Sequence, residues 1–195
     1  MLNSPAATPS ILYLHGFRSS PQSWKARLLA EAMAARGLAD RFHCPALSHD
    51  PDVAILQAEA ILAAHSGPFV LVGSSLGGYY ATWLAEKHGL SAILINPAVV
   101  APLSLEVYVG PQTCLYGGET FEFTHAHIAA LRRMEARHIT PARYWLLVEE
   151  GDEVLDYRQA VSRYADCRQT VLPGGDHSFT RFPDFVPQII ESCGL

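Results

Sequence analysis

The sequence predicts a three-layer α/β fold, with about six mainly parallel strands and helices on both faces. Three observations predict it. Short apolar runs alternate with helical stretches, the pattern of βαβ units. Several of those runs, among them "ILYL", "FVLV" and "AILI", are nearly unbroken in Ile, Leu and Val, as strands covered on both faces must be. A chain of 195 residues, 49% hydrophobic and 17% charged, has enough apolar material to bury such a sheet in one domain.

Taken in order, "ILYLHG" carries the first strand and "RFHCPAL" the second. Between them, "PQSWKARLLAEAMAARG" sets Trp24, Leu28, Ala32 and Met33 at helical spacing and offers Gly37 as a C-terminal cap. A second crossover helix, "DVAILQAEAILAAHSG", is opened by Ser48, Asp50 and Pro51 and closed near Gly67. The third strand is "PFVLVGSS". It runs into "LGGYYATWLAEKHG", a helix whose first two turns carry almost no charge and which is therefore expected to be buried. "AILINPA", "YWLLVEE" and "RQTVLPG" supply the remaining strands.

From Ala101 to Pro141 no stretch reads convincingly as a strand. The early part, with Pro102, Gly110, Pro111, Gly117 and Gly118, reads as irregular; Thr124 to His138 reads as a helix with Ile128, Leu131 and Met134 on one side. Connections this long in a compact domain commonly cover a site. The expected organisation is a flexible leader over 1–9 and a single domain over 10–195. Residues 101–141 form a longer irregular and helical insertion, a small lid, and there is no room for a large cap.

Composition excludes several functions. The net charge is -5, and Lys and Arg are scattered singly, so no basic footprint for nucleic acid or an anionic membrane exists. No apolar run approaches the roughly 20 residues of a membrane span, and "MLNSPAATPS" lacks the basic start and apolar core of an export signal. Cys44, Cys114, Cys167 and Cys193 are far apart with no CxxC pair, which argues against a zinc site or a disulfide framework. Buried or idle thiols in a reducing cytoplasm are the expectation.

Chemistry concentrates in "LVGSSLGGYY". Gly73, Ser75 and Gly77 form G-x-S-x-G between an apolar strand and a helix, the setting of a nucleophile elbow. A sharp strand-to-helix turn strains the central residue and needs small residues two before and two after it. The register selects Ser75 as nucleophile and leaves Ser74 as a bystander. Neither GxxxxGK[ST] nor GxGxxG is present to support a phosphate loop instead.

A serine hydroxyl needs a histidine base, and that histidine needs a carboxylate to fix its tautomer. In the α/β-hydrolase layout the order is Ser, acid, His, each from a loop at a strand's carboxyl end. Asp152 follows a turn glycine at the end of "YWLLVEEGDEV", and His177 sits in the glycine-rich loop "PGGDHSF". Glu149, Glu150, Glu153 and Asp156 are rival acids, and Asp176 adjoins His177 too closely to serve its ring. The other histidines lie at helix ends or on helices, strands and turns; His125 and His127, two apart, make a poor metal pair.

Developing charge on the substrate oxygen needs fixed donors. The backbone N–H of Leu76, at the start of the third helix, is one; that of Phe17, after Gly16 in "LYLHGFRSSP", is the other. His15 reads as bracing that loop. Gly16, Phe17, Tyr79, Val99, Val100, Tyr108 and Leu155 lie just beyond strand ends, where they could line a substrate pocket.

"YLHGFRSSPQSWKA", "GSSLGGYYATWLAE", "INPAV", "EEGDEVLDYRQA" and "GGDHSF" together resemble the YqiA-type esterase family (UPF0227), a compact branch of the α/β hydrolases. The resemblance runs along almost the whole chain after the leader; the stretch from Leu103 to Thr124 does not align securely. It implies the α/β-hydrolase sheet in spatial order 2-1-3-4-5-6 and a cytoplasmic serine esterase with Ser75, Asp152 and His177 as triad, the Phe17 and Leu76 amides as oxyanion hole, and small-molecule acyl esters or thioesters as substrates. The mechanism requires no metal or organic cofactor. A thioesterase, an amidase, a carbon-carbon hydrolase and a non-catalytic binding module are the alternatives.

Overall fold

The computed structural model describes residues 8–195. The expected leader over 1–9 falls outside the described residues, except for Thr8 and Pro9. A six-stranded parallel sheet organises the fold: β1 (Ser10–Leu14), β2 (Phe42–His43), β3 (Phe69–Ser74), β4 (Ser91–Ile95), β7 (Tyr144–Glu149) and β8 (Arg168–Leu172). Its order is β2-β1-β3-β4-β7-β8. With the separate hairpin β5 (Gly110–Thr113) and β6 (Thr120–Phe123) set aside, that is the order expected from the sequence.

Alternate residues of each strand feed two cores, as the period of two requires. Ile11, Tyr13, Val72, Ile93, Ile95 and Leu147 pack under α1 (Trp24–Ala35) and α7 (Phe182–Ser192). Leu12, Leu14, Leu71, Leu94, Leu146 and Val148 pack under α2 (Pro51–Ala64), α3 (Leu76–His88), α5 (His125–Arg133) and α6 (Tyr157–Arg163). The result is three layers. The excursion between β4 and β7, made of the short α4 (Ala101–Ser104), the hairpin and α5, is the longest connection among the described residues and too small for a cap domain. No helix among the described residues is long and apolar enough to cross a membrane.

Three expectations need correction. "RFHCPAL" shrinks to a two-residue edge strand, Phe42 and His43 pairing with Ile11 and Leu12, because Pro45 has no N–H to extend the ladder. The stretch expected to be irregular contains β5 and β6. Pro111 is tolerated in this isolated two-stranded ladder, and Gly117 and Gly118, at φ +84° and +71°, supply the left-handed turn between the strands. The helix expected to reach His138 ends at Arg133; beyond it, the Ala136 carbonyl accepts from Arg163 of α6 instead of continuing a helical ladder.

At the junction of β3 and α3 the chain has no spare room. A Cβ on Gly77 would overlap the Leu14 carbonyl of β1, and one on Gly73 would run into the Gly77 carbonyl. Both obstacles are backbone and cannot rotate away. Gly77→Ala is expected to destabilise the fold by about 3 kcal/mol, the upper end of ordinary overpacking, as read from the urea midpoint at unchanged slope.

Candidate active site

Ser75 occupies the β3–α3 turn at φ 56°, ψ -120°. Its N–H donates to the Ile95 carbonyl at 3.0 Å and its carbonyl accepts from Gly78 and Ala98 at 2.9 and 3.0 Å, so three bonds hold a conformation that L-residues avoid. Arg18, Asn96 and Phe179 are the other non-glycine residues with positive φ among those described, and they belong to the loops after β1, β4 and β8. Backbone strain is thus gathered at one end of the sheet.

At that end the structure brings Ser75, His177 and Asp152 together. His177 Nε2 lies 3.1 Å from Ser75 Oγ, and Nδ1 lies 2.8 and 3.0 Å from the Asp152 carboxylate oxygens. Asp152 Oδ1 also accepts from the Val154 and Leu155 N–H groups at 2.9 and 2.8 Å, which fixes the carboxylate before the imidazole arrives. The side chains of Asp152 and His177 are 2% and 23% exposed, so the carboxylate is shut off from water while the imidazole is open to the cleft. An Nδ1–H bonded to Asp152 leaves Nε2 free to accept the serine proton.

The rival acids have other duties. Glu149 at the end of β7 is fully buried and accepts from Asp176 N at 2.9 Å, Thr180 N at 3.2 Å and Arg181 Nε at 2.9 Å. Burial alone would raise its pKa. The bonds from Asp176 and Arg181 and the guanidinium charge outweigh it and hold the carboxyl below the ordinary value. Glu153 Oε2 accepts from His177 N at 3.0 Å, and Asp156 caps α6. Asn96 completes the frame: Nδ2 donates to the Asp176 and His177 carbonyls at 3.0 and 3.2 Å while Oδ1 accepts from Glu149 N at 3.0 Å.

From the opposite side Lys25 Nζ donates to the Ser178 carbonyl at 2.7 Å. Burial pushes its pKa down to about 8, although the carboxylates of Asp176, Asp152 and Glu149 pull the other way. Between about pH 8 and its ordinary 10.5 the unfolded chain therefore binds a proton that the folded chain does not, so Lys25 makes the fold more stable as pH rises through that window. Cys44 and Cys193, pushed up to about 12 by burial, act the opposite way above their ordinary 9.0. Comparison with Lys25→Met isolates the lysine: the unfolding free energy of wild type relative to the variant is expected to rise by about 3 kcal/mol across the window. A difference that stays flat with pH would contradict the burial argument.

The loop after β1 approaches Ser75 closely. A Cβ on Gly16 would lie 3.2 Å from Ser75 Cβ, already tight. Among the described residues neither the Phe17 nor the Leu76 N–H is paired with a protein acceptor. His15 is buried, with Nδ1 3.1 Å from the Gly16 carbonyl and Nε2 accepting from Leu47 N at 3.1 Å. Both ring nitrogens are committed to backbone, and burial lowers the pKa, so a neutral brace is what this imidazole provides.

A cleft of about 370 Å³ opens beside Ser75 and His177, with Phe17, Leu76, Leu105, Tyr108 and Leu155 among its walls. A smaller cavity of about 170 Å³ lies on the other side of Ser75 and takes in Gly16, Lys25 and Ser178. Tyr79, Val99 and Val100 line neither. Tyr79 is buried on α3 with its hydroxyl donating to the Leu131 carbonyl at 2.8 Å; Val99 and Val100 face a separate depression with Leu103 and Arg163. Position just beyond a strand end does not settle where a side chain points. Sequence reasoning also missed Leu105, Val107 and Leu115 of the insertion and Val154. Their signal was present: apolar side chains without a period, in a connection that has no core of its own.

Residues 10–193 match the family described as "Uncharacterised protein family (UPF0227)". The chain belongs to UPF0227. Solved structures similar to this UPF0227 chain include a protein from Agrobacterium vitis S4, at TM-score 0.73 and 22% identity over 98% of this chain and 90% of that one. Mouse alpha/beta hydrolase domain-containing protein 10 gives 0.68 and 20%, over 97% and 90%. The monoacylglycerol lipase of Paleococcus ferrophilus gives 0.67 and 15%, over 96% of each chain. At these identities they establish that this UPF0227 chain has the α/β-hydrolase fold.

Proposed function

We propose that this chain is a serine hydrolase that cleaves carboxylic (acyl) esters through Ser75, His177 and Asp152 by way of an acyl-enzyme. One observation carries the reading: Ser75 Oγ, the His177 ring and the Asp152 carboxylate are joined at 3.1 and 2.8 Å on a strained elbow that faces a largely apolar cleft. That similar folds include a protein named a monoacylglycerol lipase, and Est1E from Butyrivibrio proteoclasticus with ferulic acid bound, supports ester chemistry.

As Ser75 Oγ attacks the ester carbonyl carbon, His177 Nε2 takes its proton and Asp152 stabilises the imidazolium. The carbonyl oxygen becomes an oxyanion held by the Phe17 and Leu76 N–H groups, and the start of α3 adds its dipole. His177 then passes the proton to the departing alkoxide, leaving Ser75 acylated. Water deprotonated by the same imidazole attacks the acyl-enzyme and releases the acid. Phe17, Tyr108 and Leu155 give the acyl chain an apolar wall, and a single domain holds the whole apparatus.

A fluorophosphonate probe with peptide mapping, together with p-nitrophenyl esters of increasing chain length, tests the proposal. Labelling at Ser75 and turnover that depends on chain length are expected. Labelling elsewhere or nowhere would sink it. Matched thioester, amide and carbon-carbon substrates assign the bond class.

A further inference from the structure

We propose that His49, Cys114 and Glu119 form a binding site for a divalent cation of the zinc class, which fastens the β5–β6 hairpin to the body of the protein beside the Phe17 loop. The three side chains each offer one ligand atom, and these atoms all lie within 4.8 Å of one another. Imidazole nitrogen, thiolate sulfur and carboxylate oxygen together are a zinc-type donor set, while the sulfur disfavours magnesium and calcium.

Geometry fits the metal closely at two ligands. A tetrahedral zinc with sulfur at about 2.3 Å and imidazole nitrogen at about 2.1 Å separates those atoms by about 3.6 Å. His49 Nε2 and Cys114 Sγ stand 3.4 Å apart. Glu119 is exposed and free to swing its carboxylate inward by the last ångström or so, and a water takes the fourth position.

The site is built by the hairpin's turn end. Cys114 N donates to the Glu119 carbonyl at 2.8 Å, one step beyond the Thr113–Thr120 pair, so the two ligands leave the ladder side by side. The His49 ring stacks flat on Phe121, at 3.7 Å and 6°, a contact that orients the imidazole without consuming a ring nitrogen. Phe121 in turn meets Phe17 edge-on at 6.0 Å, and Leu115 N donates to the Arg18 carbonyl at 2.8 Å. A metal at this point ties the insertion to the His49 segment between β2 and α2, beside the loop that presents the Phe17 amide, and it touches neither Ser75 nor His177. The site is therefore independent of the proposed catalysis. Sixty-five residues separate His49 from Cys114, which is why no spacing motif announces it.

Binding replaces the Cys114 S–H proton by the metal and releases that proton to solvent, so no oxidant or reductant is involved. The rival account is a plain His49–Cys114 hydrogen bond, which gives Glu119 no part. Metal-free protein, titrated with zinc against a chromogenic chelator and separately with cobalt(II), decides between them. One zinc per chain with a dissociation constant below about 10 μM is expected, and the cobalt form should show thiolate charge-transfer absorption. Cys114→Ser should abolish that absorption. Glu119→Gln, at an exposed position that leaves the fold intact, should weaken zinc binding about 10-fold or more, and Cys167→Ser should leave it unchanged. No binding below about 10 μM, or Glu119→Gln at wild-type affinity, would overturn the site.

Discussion

Ser75→Ala is expected to lower ester turnover by about 10⁴- to 10⁶-fold while leaving the fold and the cleft in place. In the proposed mechanism, removing Oγ deletes the attacking atom, and Ser74 is not placed to replace it. Ser74 precedes it in β3, is buried, and occupies a ladder position beside Ile95. Some acceleration should survive if the Phe17 and Leu76 amides act as proposed, since they would still meet the oxygen of a carbonyl attacked by water. Alanine at φ 56° is no easier to hold than serine, so the unfolding midpoint should move little. The measurement is kcat and KM on one p-nitrophenyl ester, with Ser74→Ala as comparison. A Ser75→Ala protein that retains wild-type turnover, or a Ser74→Ala protein that loses it, would falsify the assignment.

How much of this was legible beforehand depended on range. The strands and the elbow are readable because their causes are local: unbroken Ile-Leu-Val runs, and a G-x-S-x-G bounded by a strand and a helix; the sheet order, which is not local, came only with the resemblance. Asp152 and His177 were reachable because a turn glycine or glycine-rich loop marks each strand end. The hairpin over Gly110–Phe123 was not, since Pro111 and the paired glycines are loop signals when read singly, and only pairing makes them a ladder. Tyr79 shows the limit for pockets. Its place one turn past Ser75 suggests exposure to substrate, but the helix turns its ring into the α5 contact at Leu131. Glu149 was visible only as one of several acids, since the loop it holds begins 24 positions later in the chain than Glu149 itself, by the numbering of Pro173.

Glu149→Leu is expected to cost about 3 kcal/mol of stability, because part-buried backbone donors lose their acceptor, while the Arg181 side chain, 35% exposed, is partly compensated by water. The side chain is fully buried, and leucine would leave the Asp176 and Thr180 N–H groups and the Arg181 guanidinium without their acceptor. Each of those groups lies within four residues of His177, so the damage reaches catalysis as well as folding. Gly175, at φ +75°, sits so close to the Glu149 carboxylate that a Cβ there would overlap it; the loop is moulded around this one group. Glu149→Gln keeps the shape and one acceptor oxygen but loses the charge facing Arg181, and should fall between wild type and leucine. Acidity separates the two effects. Because the folded pKa is depressed, the carboxylate's contribution is present above its ordinary 4.5 and is lost as pH falls through the lower folded value. Wild type should therefore lose its advantage over Glu149→Gln on acidification below about pH 4.5, while a purely steric role would leave the difference constant. Fluorophosphonate labelling of Ser75, well below the melting temperature, reports the alignment of His177 directly. If Glu149→Leu unfolds at the wild-type midpoint and labels at the wild-type rate, the loop is held by Asn96 and Lys25 alone.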